Sequence, residues 1–245
     1  MKDSIYAEVN NIFAQGIIPG YLNETLITLI PKCKYPKTIS HYRPICLCNS
    51  IYKVVSKILV GRIRPLLNNI ISLVQSAFIP ERRGLDNVLI AQELIYAMDR
   101  KKGKAGCMAI KIDLEKAYDW LEWSFVYKIL HAFHFPQNII KLIMSCVSST
   151  SISILVNGGK LDSFAPSRGI RQGDPLSPYL FILCMEYLSY LIEEKCVDGS
   201  WPTIKASRGN VGISHLIFSD DLILFSEAND EACEAISDVL QTFCS

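Results

Sequence analysis

The chain has 245 residues, half hydrophobic and a fifth charged, with 25 Lys or Arg against 24 Asp or Glu and a net charge of +1. That balance excludes a disordered chain and allows one large domain or two modest ones with a substantial core. No apolar run reaches the ~18 residues of a membrane span, and the N-terminus MKDSIYAEVNN lacks the apolar core of a signal peptide.

In chain order, Asp3 or Ser4 caps a helix through about Ala14, ended near Gly16 and Pro19. Thr25 to Lys32 is a β-rich run stopped by Pro31. Ile51 to Leu67 and Asp86 to Met98 carry apolar residues at helical spacing, the second capped by Asp86. Cys107 to Asp113 reads as a strand in which Met108, Ile110 and Ile112 alternate with Ala109, Lys111 and Asp113. Helices follow over Trp120 to Ala132 and Gln137 to Val147, then a hairpin around Asn157-Gly158-Gly159. Ser177-Pro178 opens a long helix to about Lys195, and Asp230 to Phe243 forms a last, acidic one. Strands and helices without regular βαβ alternation predict an α+β fold, an antiparallel sheet with helices on one face.

The even net charge hides an uneven distribution. No Asp or Glu occurs between Thr25 and Pro80, a stretch that carries Lys32, Lys34, Lys37, Arg43, Lys53, Lys57, Arg62 and Arg64. Arg82, Arg83 and the run Arg100 to Lys104 extend the basic region, and no Lys or Arg follows Arg208. Such a pattern suggests a polyanionic partner, nucleic acid before membrane; the competing reading is a surface whose charges average out in three dimensions. The nine cysteines show no zinc-like spacing and read as reduced thiols of an intracellular protein.

His215 to Ser226, HLIFSDDLILFS, sets two adjacent aspartates between apolar arms. Burying one unpaired carboxylate costs several kcal/mol and two side by side repel, so the pair needs exposure at a turn, a base or a cation. Adjacent residues of a regular strand face opposite sides, whereas at a tight turn both can sit at the sheet's end. Asp113 closes another strand, and if the strands are neighbours three carboxylates converge where Mg²⁺ would relieve their repulsion. Two plainer readings compete, a solvated Asp-Asp turn and Asp113 as a helix N-cap.

IKIDLEKAYD (Ile110 to Asp119), RGIRQGDPLSPYLF (Arg168 to Phe181) and FSDD (Phe218 to Asp221) resemble, in order and spacing, three central blocks of reverse transcriptases. The likeness is to LINE-type, non-LTR retrotransposons, abundant in plants. NETLITLIPK, HYRPICLCNSIYKVVSKILVGRIRPLL and QSAFIPERRGLDN agree, so the resemblance runs from about Val9 to Phe243. It implies a right-hand polymerase fold with fingers over 1–106, palm over 107–245 and no thumb, endonuclease or ribonuclease H. It implies an RNA template, a DNA primer and dNTPs as partners, with two Mg²⁺ ions (or Mn²⁺) as cofactors. The location it implies is the nucleus or a cytoplasmic ribonucleoprotein.

Residue by residue, the resemblance makes Asp113 and Asp220 metal ligands and Asp221 the third acid, with the Leu114 carbonyl facing a metal. Tyr118 matches an aromatic gate against the ribose 2′-hydroxyl, and Gln172 and Gly173 match the loop lining the incoming nucleotide. Arg43 and Lys53 fall in the block that clamps the triphosphate, and Arg82 is expected to touch template phosphates or to be a solvated surface residue. Three positions depart from the pattern: Trp120 for a basic residue, Ser219 for a small Ala and Glu81 for a glycine. The chain ends at Cys244-Ser245, where the family continues into a Ser-Gly turn and a lysine-bearing strand. Two alternatives to a polymerase core stay open, an inactive remnant that at most binds nucleic acid and a metal-dependent nuclease using the same acids.

Overall fold

β1 (Glu24–Pro31) takes its place because its β-branched run can pair on both edges: antiparallel with Tyr42–Cys48 and parallel with Ser151–Val156. The computed structural model describes residues 2–101, 106–207 and 211–244, so Lys102 and Lys104 of the basic run lie outside the described residues. The chain divides into two compact units, Met1–Ile63 with Lys116–Leu180 and Arg64–Glu115 with Phe181–Ser245. The stretch 107–245 therefore contributes to both.

In the first unit α1 (Lys2–Gln15) precedes β1, β2 (Tyr42–Cys48) and α2 (Ser50–Ile63). The expected helix to Leu67 breaks earlier, because Pro65 lacks an N–H and its ring crowds the preceding turn. A 3-10 turn, Arg64–Leu66, follows instead. Downstream, α5 (Ala117–Trp120), α6 (Trp123–Ala132) and α7 (Gln137–Ser148) lead to β4 (Ser151–Val156) and β5 (Gly159–Lys160). Trp120 thus belongs to a separate helical turn, not to the start of α6. Asn157 (φ 50°) and Gly158 (φ 82°) make the two-residue hairpin turn, both left-handed as a type I′ turn requires. The sheet order is β2-β1-β4-β5, and Tyr52, Val55, Leu59, Ile140 and Cys146 are buried.

The second unit holds α3 (Leu67–Ile70), α4 (Gly84–Arg100), β3 (Gly106–Asp113), β6 (His215–Phe218), β7 (Asp221–Ala228) and α9 (Asp230–Cys244). α8 (Ser177–Asp198) runs from the first unit into it. Arg83, not Asp86, stands at the N-cap of α4. β7 is central in the antiparallel order β3-β7-β6. Leu216 and Phe225 pack with Ala91 and Leu94 of α4. His215, on the opposite face by strand alternation, reaches Ser189 Oγ of α8 at 3.0 Å. Helices therefore cover two faces rather than the expected one. The reason is that Leu222-Ile223-Leu224-Phe225 is apolar at every position, so neither face of β7 suits water.

Candidate active site

The aspartate pair sits where two strands turn back. β6 and β7 pair with Phe218 opposite Asp221, leaving Ser219 and Asp220 as a two-residue loop. Ser219 has a positive φ of 58° and Asp220 does not, the pattern of a type II′ hairpin turn, whose first central position favours glycine. A side chain there costs about 1–3 kcal/mol of backbone strain, which the surroundings must hold. On the other edge of β7, Asp113 lies directly opposite Asp221. Cross-strand partners share a face with Cβ atoms about 4.5–5.5 Å apart, so Asp113, Asp221 and Phe218 form one row across the sheet's end.

Asp113 and Asp221 are exposed and Asp220 half-buried. Lys111, two residues before Asp113 and on its face, places Nζ 3.2 Å from Asp221 Oδ1. Leu114 follows directly after β3. The register thus brings Asp113 to Asp221, with Asp220 next in the turn. The described residues contain no group of three His, Cys, Asp or Glu side chains arranged to hold an ion, so the expected three-carboxylate cluster is not formed as such. The partner that Asp221 does have is Lys111.

Sequence reasoning passed over Gly84. A Cβ there would lie 2.7 Å from Phe218 Cε2, so a side chain at this position would displace the Phe218 ring at the edge of the aspartate hairpin. The signal available was a glycine opening a helix, where one is otherwise unfavourable. Arg82 faces its own chain: its guanidinium donates to the carbonyls of Ser72, Gln75 (2.8 Å) and Ile71 (2.8 Å). Arg82 is thus half-buried and tied to its own backbone rather than a freely solvated surface residue. Glu81, where a glycine was expected, has φ 67°, which explains why glycine suits that position.

The nucleotide-site candidates lie in the first unit. The loop 168–174 is tied at both sides by backbone bonds: Ile170 N donates to Tyr118 O at 2.8 Å, and Cys46 N donates to Gln172 O at 2.8 Å. Gly173 has φ +101°, and a Cβ on it would lie 3.0 Å from Cys46 O, so only glycine lets the loop dock on β2. Tyr118 is half-buried on α5, which Lys116 enters in the left-handed conformation. Arg43 is exposed on β2 and Lys53 half-buried on α2. A cavity of about 180 Å³ opens beside this loop, lined among others by Pro44, Asp119, Arg168 and Gln172. Burial pushes the Asp119 carboxyl up, against the opposing pull of Lys116. Arg168 lies over the Trp120 ring at 4.1 Å, so a cation does reach the position where a basic residue was expected.

What holds the loop was not foreseen. Arg171 and Asp174, 7% and 3% exposed, bond to each other at 3.1 Å. Arg171 also donates to Asn23 Oδ1, Thr25 Oγ1 and Cys146 O, while Asp174 accepts from Tyr52, Ser56 and the Leu176 N–H. The two charged residues that bracket Gln172-Gly173 are thus buried anchors with every role internal.

Comparison with known proteins agrees with this picture. The chain is 28% identical over 219 residues to the Pol polyprotein of the retrotransposable element R2DM of Drosophila melanogaster, covering 89% of this chain and 20% of that protein. It is 26% identical over 215 residues to the 149 kDa protein of transposon TX1 of Xenopus laevis, covering 88% and 16%. Over 67 residues it is 51% identical to the mitochondrial protein AtMg01250 of Arabidopsis thaliana, covering 27% and 55%. The chain spans a fifth or less of the length of the first two relatives. Residues 30–245 match the family described as reverse transcriptase (RNA-dependent DNA polymerase). With the aspartate hairpin, the strand ending in Asp113 and the RQGD loop all inside that match, the chain belongs to the reverse transcriptase family.

Proposed function

We propose that this chain is the core of an RNA-directed DNA polymerase of a LINE-type retrotransposon, extending a DNA primer on an RNA template with dNTPs. The observation that carries the reading is the register that sets Asp113 opposite Asp221 at the end of β7, next to the turn with Asp220. The donor set fits Mg²⁺, or Mn²⁺ in its place, which is commonly held by one or two carboxylates together with substrate phosphates rather than by an all-protein cage. Asp113, Asp220, Asp221 and the Leu114 carbonyl are the groups that would hold it. When bound, a pair of such ions lowers the barrier by activating the attacking hydroxyl and stabilising the leaving phosphate oxygen.

The chain's own residues do the remaining work in this reading. The hairpin presents the acids outward, Gln172 and Gly173 line the base and sugar of the incoming nucleotide, and Tyr118 excludes a 2′-hydroxyl. Arg43 and Lys53 offset triphosphate charge. The fingers correspond to 1–106 and the palm to 107–245. Primer extension on poly(rA)–oligo(dT) with Mg²⁺ and dTTP tests the proposal. Asp220→Ala is expected to lower the rate about a thousandfold, the several kcal/mol a metal site supplies. Equal extension by Asp220→Ala would sink the assignment, and equal use of ribo- and deoxynucleotides would remove Tyr118 from it.

A further inference from the structure

The strained turn that carries Asp220 is held by a residue far from it in sequence. The stretch before α4 runs alongside β6: Ile217 N donates to Val74 O at 2.9 Å, and Ser76 N donates to Ile217 O at 3.2 Å. Asn87 fastens the seam, its Nδ2 donating to Val74 O at 3.0 Å and Ile217 O at 2.9 Å. Between Val74 and Ser76 the Gln75 side chain is buried, 1% exposed. One atom of its amide receives two backbone N–H groups, Ala77 N at 2.9 Å and Ser219 N at 3.2 Å. Since both partners are donors, that atom is the oxygen. The amide nitrogen has no hydrogen-bond partner among the described residues.

We propose that Gln75 is a positioning residue for the polymerase site, fixing the Ser219–Asp220 turn through its side-chain oxygen. The proposal rests on the polymerase reading above but adds a residue to it. Ser219 stands at φ 58°, a conformation its side chain disfavours, and its N–H would otherwise be free to rotate away. With that N–H held, Asp220 and the first residue of β7, Asp221, keep a fixed direction at the sheet's end. The side chain serves as an acceptor twice and as a donor not at all. Glutamate offers the same oxygen in the same place once its carboxyl is protonated, since at 1% exposure an ionised one would be buried unpaired; methionine, of similar length but with no comparable acceptor, does not.

The test compares Gln75→Met and Gln75→Glu with the parent chain by amide hydrogen exchange and by primer extension. Gln75→Met is expected to lower protection of the Ser219 amide roughly five- to tenfold, the scale of one ordinary hydrogen bond. Its kcat falls by a similar factor, with KM for dNTP unchanged and exchange in α4 and β3 unaffected. Gln75→Glu keeps the Ser219 protection when exchange is read at acid pH, where the buried carboxyl is protonated. Retained protection in Gln75→Met, or loss in Gln75→Glu at acid pH, would overturn the proposal, as would a Met variant that loses protection yet extends at the full rate. Exchange needs no activity, so a parent chain that fails to extend primers condemns the polymerase reading while leaving the Gln75 result legible.

Discussion

Asp174 and Asp221 are the same residue type put to opposite uses in the two units. Asp174 is 3% exposed and accepts from Arg171, Tyr52, Ser56 and a backbone N–H. Asp221 is exposed at the end of a sheet, with Lys111 at 3.2 Å and Asp113 directly opposite. A carboxylate whose oxygens are all taken by its own chain can organise a loop but cannot act on anything else. One left at an edge beside a second acid contributes little to folding and stays accessible to a partner from outside the chain. The difference separates residues that build the site from residues that use it, even where both belong to one motif-rich stretch.

The largest expected effect on stability breaks the buried partnership. Asp174→Ala leaves the Arg171 guanidinium buried without its counter-charge, a change that costs about 3–5 kcal/mol. Asp221→Ala removes an exposed group and should shift stability by no more than about 0.5 kcal/mol. Urea unfolding of the two variants measures the contrast. Should Asp174→Ala prove too unstable to purify, Asp174→Asn retains acceptor capacity and gives an intermediate loss. Similar midpoints for Asp174→Ala and Asp221→Ala would mean the division drawn here is wrong.

The sequence showed the users of the site better than its builders, for a physical reason. An apolar-arm, Asp-Asp, apolar-arm pattern is a local signal, and the hairpin over β6 and β7 follows from it. Asp113 at the end of an alternating strand is equally local. Arg171 and Asp174 were read past because isolated charges normally mark surface, and their burial depends on Asn23 and Tyr52, distant in the chain. Gln75 and Ser219 are 144 positions apart, a pairing no periodicity encodes. Arg82 read as surface or template contact because its partners are backbone carbonyls, which leave no trace in residue identity. For the three acids, alternation and turn position set who is near whom, whereas the Lys111–Asp221 pair depends on side-chain geometry that no local pattern encodes.

A second buried acid sharpens the comparison, because Glu186 accepts from the Ser72 N–H at 2.8 Å and the Ser72 hydroxyl at 3.1 Å without a hydrogen-bonded cation among the described residues. Burial chiefly pushes its carboxyl from 4.5 up to about 7. His215, between Ser214 and Ser189 hydroxyls, is held down from 6.5 to about 4 by burial. The folded state binds the Glu186 proton more tightly, so that stability is present below pH 4.5 and lost as pH rises through about 7. The folded state resists protonating His215, so that stability is present above pH 6.5 and lost as pH falls through about 4. Between the two ordinary values the slopes oppose. Glu186→Gln should therefore gain up to about 3.5 kcal/mol relative to the parent at pH 8 and little at pH 4, given ~1.4 kcal/mol per pKa unit. Thermal unfolding across that range checks it; a gain that does not depend on pH would assign the effect to packing.

The smallest effect concerns Lys111. Its ion pair with Asp221 has both side chains more than half exposed, and such pairs are typically worth ~0.2–1 kcal/mol. Lys111→Ala should then leave stability within about 0.5 kcal/mol of the parent. The informative readout is at the acids. An ammonium on Asp221 competes with any cation drawn to the same row, so its removal should lower the Mn²⁺ concentration for half-saturation about twofold, the ratio that ~0.5 kcal/mol makes. Direct Mn²⁺ binding in the absence of substrates measures this apart from catalysis. A loss of stability above about 1 kcal/mol would show that Lys111 and Asp221 act as a structural pair like Arg171 and Asp174. Unchanged stability with tighter Mn²⁺ binding is what an acid kept available for a partner requires.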